Sequence, residues 1–306
     1  MTDFTLTVDN YHSLQANQHT MSSHQWGNWM ECPARTFASL NGAWGTGDKV
    51  AFLVGGYIDV MLLTPLDSQR WFDDHKQAMI EMGLLSKAKN TRGAKLATVI
   101  KADNMIERAK HDPVFMDAIS GESQLIMTAE LFGHPWRCMV DSIKRDIMRI
   151  TDLKSTKSTT SKSWFNTDTI FNILDGTTDQ KENLHRGLYF DEFNYFRQFA
   201  IYREIAAKYT RTDPDDWTLL MAALSKEKPT DANPNIPDWR QVDLELRIMN
   251  DEDALMRQLD IVEEHSEQIW KWKLGEEPAP ACGKCAFCIA HKQLSEPTQT
   301  RSVVRY

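Results

Sequence analysis

The 306-residue chain has no run of eighteen consecutive apolar residues, so no ordinary membrane-spanning helix is expected. Its opening stretch, "MTDFTLTVDNYHS", lacks the basic segment and apolar stretch of a secretory signal, which makes the cytoplasm the expected location. Positive charge is not in excess: 35 Lys and Arg face 43 Asp and Glu, for a net charge of −8. A broad basic surface for nucleic acid is therefore not expected, and any such role must come from a local site. Cysteine is scarce, five in all, and three of the five crowd into "CGKCAFC" at 282–288, a pattern that suits metal ligation better than a disulfide framework. What is present is enough for a globular core, since 42% of the residues are hydrophobic and 10% aromatic. No internal repeat or long linker interrupts the chain. One domain over 1–306 is expected, with a core at about 20–205, a helical extension at 206–275 and a cysteine-rich tail at 276–306.

Local patterns sketch the elements. Ser22 and Ser23 offer a cap ahead of an apolar stripe at Trp26, Trp29 and Met30, which predicts a helix. "VAFLVGGYIDVMLLTP" fits a buried helix or a strand equally well. Residues 68–120 repeat apolar side chains every three or four positions, predicting two or three amphipathic helices. The stretch "LIMTAELFGHPWRCMVDSIKRDIMRITDLKST" reads as three consecutive strands, with turns near Gly133 to Pro135 and at Ser142 to Asp146. A polar, basic loop, "KSTKSTTSKS", follows, and its lysines, Lys157 and Lys162 among them, could track a phosphate backbone. Further on come a long amphipathic helix after an acidic start in "YFDEFNYFRQFAIYREIAAKYT", a short strand candidate in "TRTDPDDWTLLMAALS", and a charged segment from Arg240 to Gly275 read as helical throughout.

The chemistry centres on "RITDLKST" at 149–156, where the strand period places Asp152 and Lys154 on one face. If the preceding strand reverses as predicted, Asp141 lands beside Asp152. Two carboxylates and an ammonium converging would suit Mg²⁺ or Mn²⁺ and phosphate chemistry. The spacing alone is weak, and an ordinary exposed ion pair satisfies it equally. Downstream, Gln198 and Tyr202 stand one helical turn apart on a shared face, also unremarkable in isolation.

Taken in order, four blocks resemble the RecB-like branch of the PD-(D/E)XK nucleases, and within it the RecE-type (exodeoxyribonuclease VIII-like) exonucleases of phages and prophages. "SSHQWGNWMECPARTF" is similar to the family's opening helix, and "VGGYIDVMLLTPLDSQRWF" to its GxxxHxxLLxPxxF stretch. "GHPWRCMVDSIKRDIMRITDLKST" is similar to the D…DLKTT core, and "YFRQFAIYREIA" to the QxxxY helix. The resemblance implies an α/β fold with a central mixed sheet flanked by helices. It implies Asp141 and Asp152 as metal ligands, Lys154 as the catalytic lysine, and Gln198 and Tyr202 in the motif helix. Two positions depart from the pattern: Asp59 stands where the family has a metal-binding histidine, and Gln124 where it often has a glutamate. Aspartate remains a hard oxygen donor for Mg²⁺ or Mn²⁺.

Some RecB-like relatives hold a [4Fe–4S] cluster with one cysteine before the nuclease core and three after it. Cys32 with Cys282, Cys285 and Cys288 repeats that layout, at a different spacing, and a Zn²⁺ site including His291 is the alternative. Either would act as a staple between the chain's two ends. Trp164, Phe165, Trp270 and Trp272 are candidates for stacking on unpaired bases, with core packing the ordinary reading. His24 stands out from the scattered histidines as one to test. The function implied is a Mg²⁺- or Mn²⁺-dependent exonuclease that degrades linear duplex DNA and leaves single-stranded DNA for recombination or repair. Its partners would be a single-strand annealing protein and copies of itself in a ring, with no membrane. The alternatives are a catalytically impaired DNA-binding or assembly module and a restriction- or repair-type endonuclease.

Overall fold

Alternating side chains do build the expected meander. In the computed structural model, which describes residues 4–45, 49–166 and 184–293, β1 (Glu122–Leu131), β2 (His134–Lys144) and β3 (Arg149–Thr156) run antiparallel in succession. Phe132 and Gly133, both with positive φ (53° and 76°), make the tight first reversal, as a primed hairpin turn requires. The second reversal lies later than predicted. Ser142, Ile143 and Lys144 remain paired with β3, and the chain turns through a 3₁₀ segment, Arg145–Ile147, and left-handed Met148.

The short pair β4 (Ser163–Asn166) and β5 (Leu184–Gly187) stands apart from the main sheet. Among the described residues the main sheet has five strands in the order β1-β2-β3-β6-β7, where β6 is Thr218–Ser225 and β7 is Leu244–Ile248. β6 runs parallel to β3, with Asp152 opposite Met221 and Lys154 opposite Ala223. Its continuous apolar sequence suits a strand covered on both faces. Leu219, Met221 and Ala223 join one core cluster, whereas Ala222 and Leu224 join the other.

Helices cover both faces. Among the described residues, seven precede the sheet: α1 (Leu14–His19), α2 (Ser23–Glu31), α3 (Pro33–Leu40), α4 (Lys49–Leu63), α5 (Ser68–Glu81), α6 (Ala97–Lys110) and α7 (Pro113–Ile119). Between β5 and β6 lie α8 (Tyr189–Glu192) and α9 (Tyr195–Thr210). α10 (Glu252–Leu274) and α11 (Ala286–Ala290) follow β7. The Ser22 cap is realised, its hydroxyl accepting from the Gln25 amide at 3.2 Å. The ambiguous stretch at 50–63 is helical, and Val54, Tyr57, Ile58 and Leu62 of α4 pack with Met79, Met105, Leu153 and Leu224. On the opposite face Trp26, Trp29 and Trp136 pack with Phe199, Ile205, Trp270 and Trp272.

The charged segment is not helical throughout. Leu244, Leu246 and Ile248 alternate with Glu245 and Arg247 as edge strand β7, and the helix starts only after the Asp251 cap. Its end at Gly275 is as predicted, with φ 74° closing the last turn. Arg203 of α9, 2% exposed, donates to both carboxylate oxygens of Glu252 at 2.6 and 3.0 Å, tying α9 to α10. No single helix among the described residues is long and apolar enough to cross a membrane.

Candidate active site

The β2–β3 ladder pairs Ser142 with Thr151, and the next step would pair Asp141 with Asp152. There the strands part. Instead of a main-chain partner, the Leu153 amide donates to Asp141 Oδ2 at 2.7 Å, so the carboxylate bridges the opening fork. Strand alternation sends Ile150, Asp152 and Lys154 toward α9 and Leu153 toward the other core cluster. Asp152 is 2% exposed, and its Oδ1 accepts from Gln198 Nε2 at 2.6 Å. Its Oδ2 lies 2.5 Å from Lys154 Nζ without hydrogen-bond alignment, a charge contact that leaves oxygen lone pairs free. The Lys154 ammonium also sits 5.2 Å above the Tyr195 ring centroid.

Asp59, from α4, is close enough to feel this cluster. Burial, then the Asp141 charge and to a lesser degree Asp152, hold its carboxyl well above the usual carboxylate range against the pull of Lys154. Burial, then Asp152, pushes Asp141 up to about 7. Desolvation works against the Lys154 charge, but Asp152, Tyr195 and Asp141 outweigh it and keep the ammonium charged. Carboxyls crowded to the point of retaining protons are what a small divalent cation relieves, and their hard oxygens match Mg²⁺ or Mn²⁺. The fit is closest for Asp141 and Asp152. Among the described residues the four cysteines bring their ligand atoms within 4.8 Å of one another, whereas Asp59, Asp141 and Asp152 do not all come that close.

Gln198 and Tyr202 share the α9 face that meets the site. Gln198 grips Asp152 directly, whereas Tyr202 packs against the core, and burial holds its phenol protonated, well above its usual value. Gln124 falls on β1 between the Ser123–Ser142 and Leu125–Val140 pairs, level with Asp141, and its left-handed backbone (φ 52°) interrupts the ladder there. His24 of α2 is pushed below its ordinary value by burial, Arg197 and Lys154, which outweigh the opposing pull of Glu31.

Beyond Lys154 the strand opens into a cleft of about 850 Å³. Lys157 and Lys162 line it as the basic loop suggested, and Lys101 of α6, which sequence reasoning passed over, joins them. Lys157 faces Glu227 at 3.9 Å and is largely exposed. Of the aromatic candidates, Trp270 and Trp272 are 5% and 4% exposed inside the core, so they offer no platform for a base. Trp164 is 64% exposed with the Arg186 guanidinium against its ring, and the Phe165 side chain lies outside the described residues. Phe193, at the lip of the cleft, went unnoticed in its aromatic-rich surroundings.

A second centre lies at the meeting of the chain ends. Cys32 caps α3 at its junction with α2, and the Ala34 amide donates to the Pro280 carbonyl at 3.0 Å, holding the tail against that junction. Cys32 Sγ is 3.5 Å from Cys288 Sγ and 3.7 Å from Cys285 Sγ, and Cys282 and Cys288 are 3.8 Å apart. All four are free thiols, and their sulfurs lie within 4.8 Å of one another. His291 is not in this set; its Nδ1 lies 2.8 Å from the Phe287 carbonyl.

Residues 22–291 match the family described as a PDDEXK-like domain of unknown function (DUF3799). The chain is also similar to a crystal structure of a Eubacterium rectale protein provisionally named an exonuclease, with 24% identity and a TM-score of 0.75 over 97% of each chain. At that identity the likeness speaks for the fold. No curated protein matches the chain significantly.

Proposed function

Because the chain belongs to the PDDEXK-like DUF3799 family, whose fold and family support a divalent-metal nuclease acting on DNA, we propose that it is an exodeoxyribonuclease of RecE type that shortens linear duplex DNA. One observation carries the reading: Asp141 and the Asp152-x-Lys154 pair meet where β2 and β3 part, with Gln198 locking Asp152 from α9. Four ordered sequence blocks add the exonuclease assignment by resemblance.

Asp141 and Asp152, with Asp59 as the third carboxylate of the cluster, would hold a Mg²⁺ or Mn²⁺ ion. When bound, such an ion polarises the scissile phosphate and acidifies a water. Lys154, kept charged by Asp152, offsets the negative charge that grows on the phosphoryl oxygens. Gln198 fixes the Asp152 carboxylate so that its second oxygen stays toward Lys154, while the Tyr202 phenol, held protonated by burial, packs into the core one helical turn away. Lys157 and Lys162 would follow the backbone of the substrate strand along the cleft. The product would be single-stranded DNA for recombination or repair inside a bacterial or phage-infected cell. A single-strand annealing protein and a homo-oligomeric ring are the partners the resemblance suggests.

The cysteine centre would hold a metal as a staple between the N-terminal helices and the tail. Four thiolates about 2.3 Å from one tetrahedral ion lie about 3.8 Å apart. Three of the six sulfur pairs, at 3.5, 3.7 and 3.8 Å, match that spacing and the rest lie within 4.8 Å, so the set fits a single ion such as Zn²⁺ as it stands, while a [4Fe–4S] cluster is accommodated once the sulfurs spread. Zinc by elemental analysis supports the first, and brown protein absorbing near 400 nm the second.

Incubation with linear and covalently closed duplex DNA in Mg²⁺ or Mn²⁺ tests the main reading. Loss of the linear form alone supports the exonuclease. Cleavage of the closed circle would make the protein an endonuclease, and DNA binding without digestion would make it a binding module in which Asp59 and Gln124 mark lost catalysis.

A further inference from the structure

We infer that Phe193 is a stacking platform for an unpaired nucleobase at the lip of the cleft, so that the substrate strand reaches Lys154 with its end bases splayed out of the duplex. The inference rests on the nuclease reading above and adds the form in which the strand is bound.

Phe193 lies between α8 and α9, beside Asn194, whose left-handed backbone (φ 53°) turns the chain sharply at that point. Its neighbours in "YFDEFNYF" turn inward: Tyr189 is 3% exposed, and Phe190, Tyr195 and Phe196 pack against the core. Phe193 alone of this group is strongly exposed, at 56%, and it lines the cleft shared with Lys101, Lys157 and Lys162. Its ring centroid is 5.9 Å from that of Tyr195, and Lys154 Nζ sits over the Tyr195 ring at 5.2 Å. Two rings therefore lead from the mouth of the cleft to the proposed catalytic ammonium.

The surroundings fit one strand of nucleic acid. Lysines and the hydroxyl side chains of Ser155, Ser158 and Ser161 recognise phosphate, in a protein whose net charge is −8. An exposed aromatic among them supplies what phosphate contacts lack, a flat apolar face for a base of any sequence. At about 850 Å³ the cleft has room for a few nucleotides of a single strand.

The test combines a protein change with a substrate change in the full chain. Digestion kinetics are measured for wild type, Phe193→Ala and Phe193→Trp on linear duplexes carrying one abasic sugar at each of the first few positions of the digested strand. Loss of one base–aromatic stack predicts a KM increase of roughly 5- to 150-fold for Phe193→Ala on intact DNA, largely restored in Phe193→Trp. At one position the abasic sugar should impose that same penalty on wild type and almost none on Phe193→Ala, the signature of a shared contact. Equal, additive penalties at every position in both proteins would overturn the stacking role while leaving the nuclease reading intact. Failure of the wild type to digest any DNA would remove both.

Discussion

Replacing Gln198 with methionine removes the hydrogen bond that holds Asp152 while keeping a side chain of similar length. The Nε2 to Oδ1 distance is 2.6 Å, and Asp152 is 2% exposed, so water cannot readily take the place of the lost donor. A hydrogen bond to a charged group contributes about 1.5–3 kcal/mol net. In a chain of this size that corresponds to a melting temperature roughly 2–5 °C lower. The effect on activity should be larger than the stability loss suggests, because the freed carboxylate can rotate out of the orientation in which Oδ2 meets Lys154 and lose its alignment on the metal. Loss of a group that orients a metal ligand typically costs about 10–100-fold in metal affinity or activity. Digestion of linear duplex at varied Mg²⁺ or Mn²⁺ should therefore show a higher metal concentration at half-maximal rate, and excess metal should restore part of the rate. A Gln198→Met protein with the wild-type rate and metal requirement would refute the positioning argument.

Three further outcomes follow from the charges and the thiols. The Asp141 carboxyl, raised from 3.8 to about 7, binds its proton more tightly folded than unfolded. Its contribution to metal-free stability is thus fully present below about pH 4 and lost as pH rises through about 7, an effect that Asp141→Asn should flatten in thermal melts. Since the cation needs the deprotonated carboxylate, the apparent metal affinity should climb with pH up to about 7 and then level off; a pH-independent affinity would contradict this. At the second centre, Cys285→Ser or exhaustive chelation should release the bound metal and lower the melting temperature by more than Gln198→Met does, because a structural metal adds its binding free energy to folding. Unchanged metal content in Cys285→Ser would contradict the four-sulfur site.

Much of the sheet was legible because its signals are local. The meander shows in the alternation of 125–156, but the register that brings Asp141 level with Asp152 is set by the second reversal, which falls at Arg145 to Met148 and not at Ser142 to Asp146. β7 was misread although Leu244, Leu246 and Ile248 alternate cleanly, because five residues cannot outweigh the long charged helix beginning at Glu252. α4 was ambiguous for a different reason: helix and strand look alike when both faces are apolar, and only packing against Met79 and Met105 decides. The cysteine grouping depended on one residue 250 positions before the other three, and no periodicity connects Cys32 to Cys282. Phe193 was missed because exposure is a tertiary property. In a run of seven aromatics between Tyr189 and Tyr202, nothing in the letters distinguishes the one that faces outward.

The most direct test compares wild type with Lys154→Ala on linear duplex DNA in Mg²⁺ and in Mn²⁺, with matched melting curves to show that both are folded. The account predicts digestion by wild type and a rate at least about 100-fold lower for the variant, the scale expected when a charge-stabilising group is removed. Digestion at the wild-type rate by Lys154→Ala, or none by folded wild type in either metal, would contradict it.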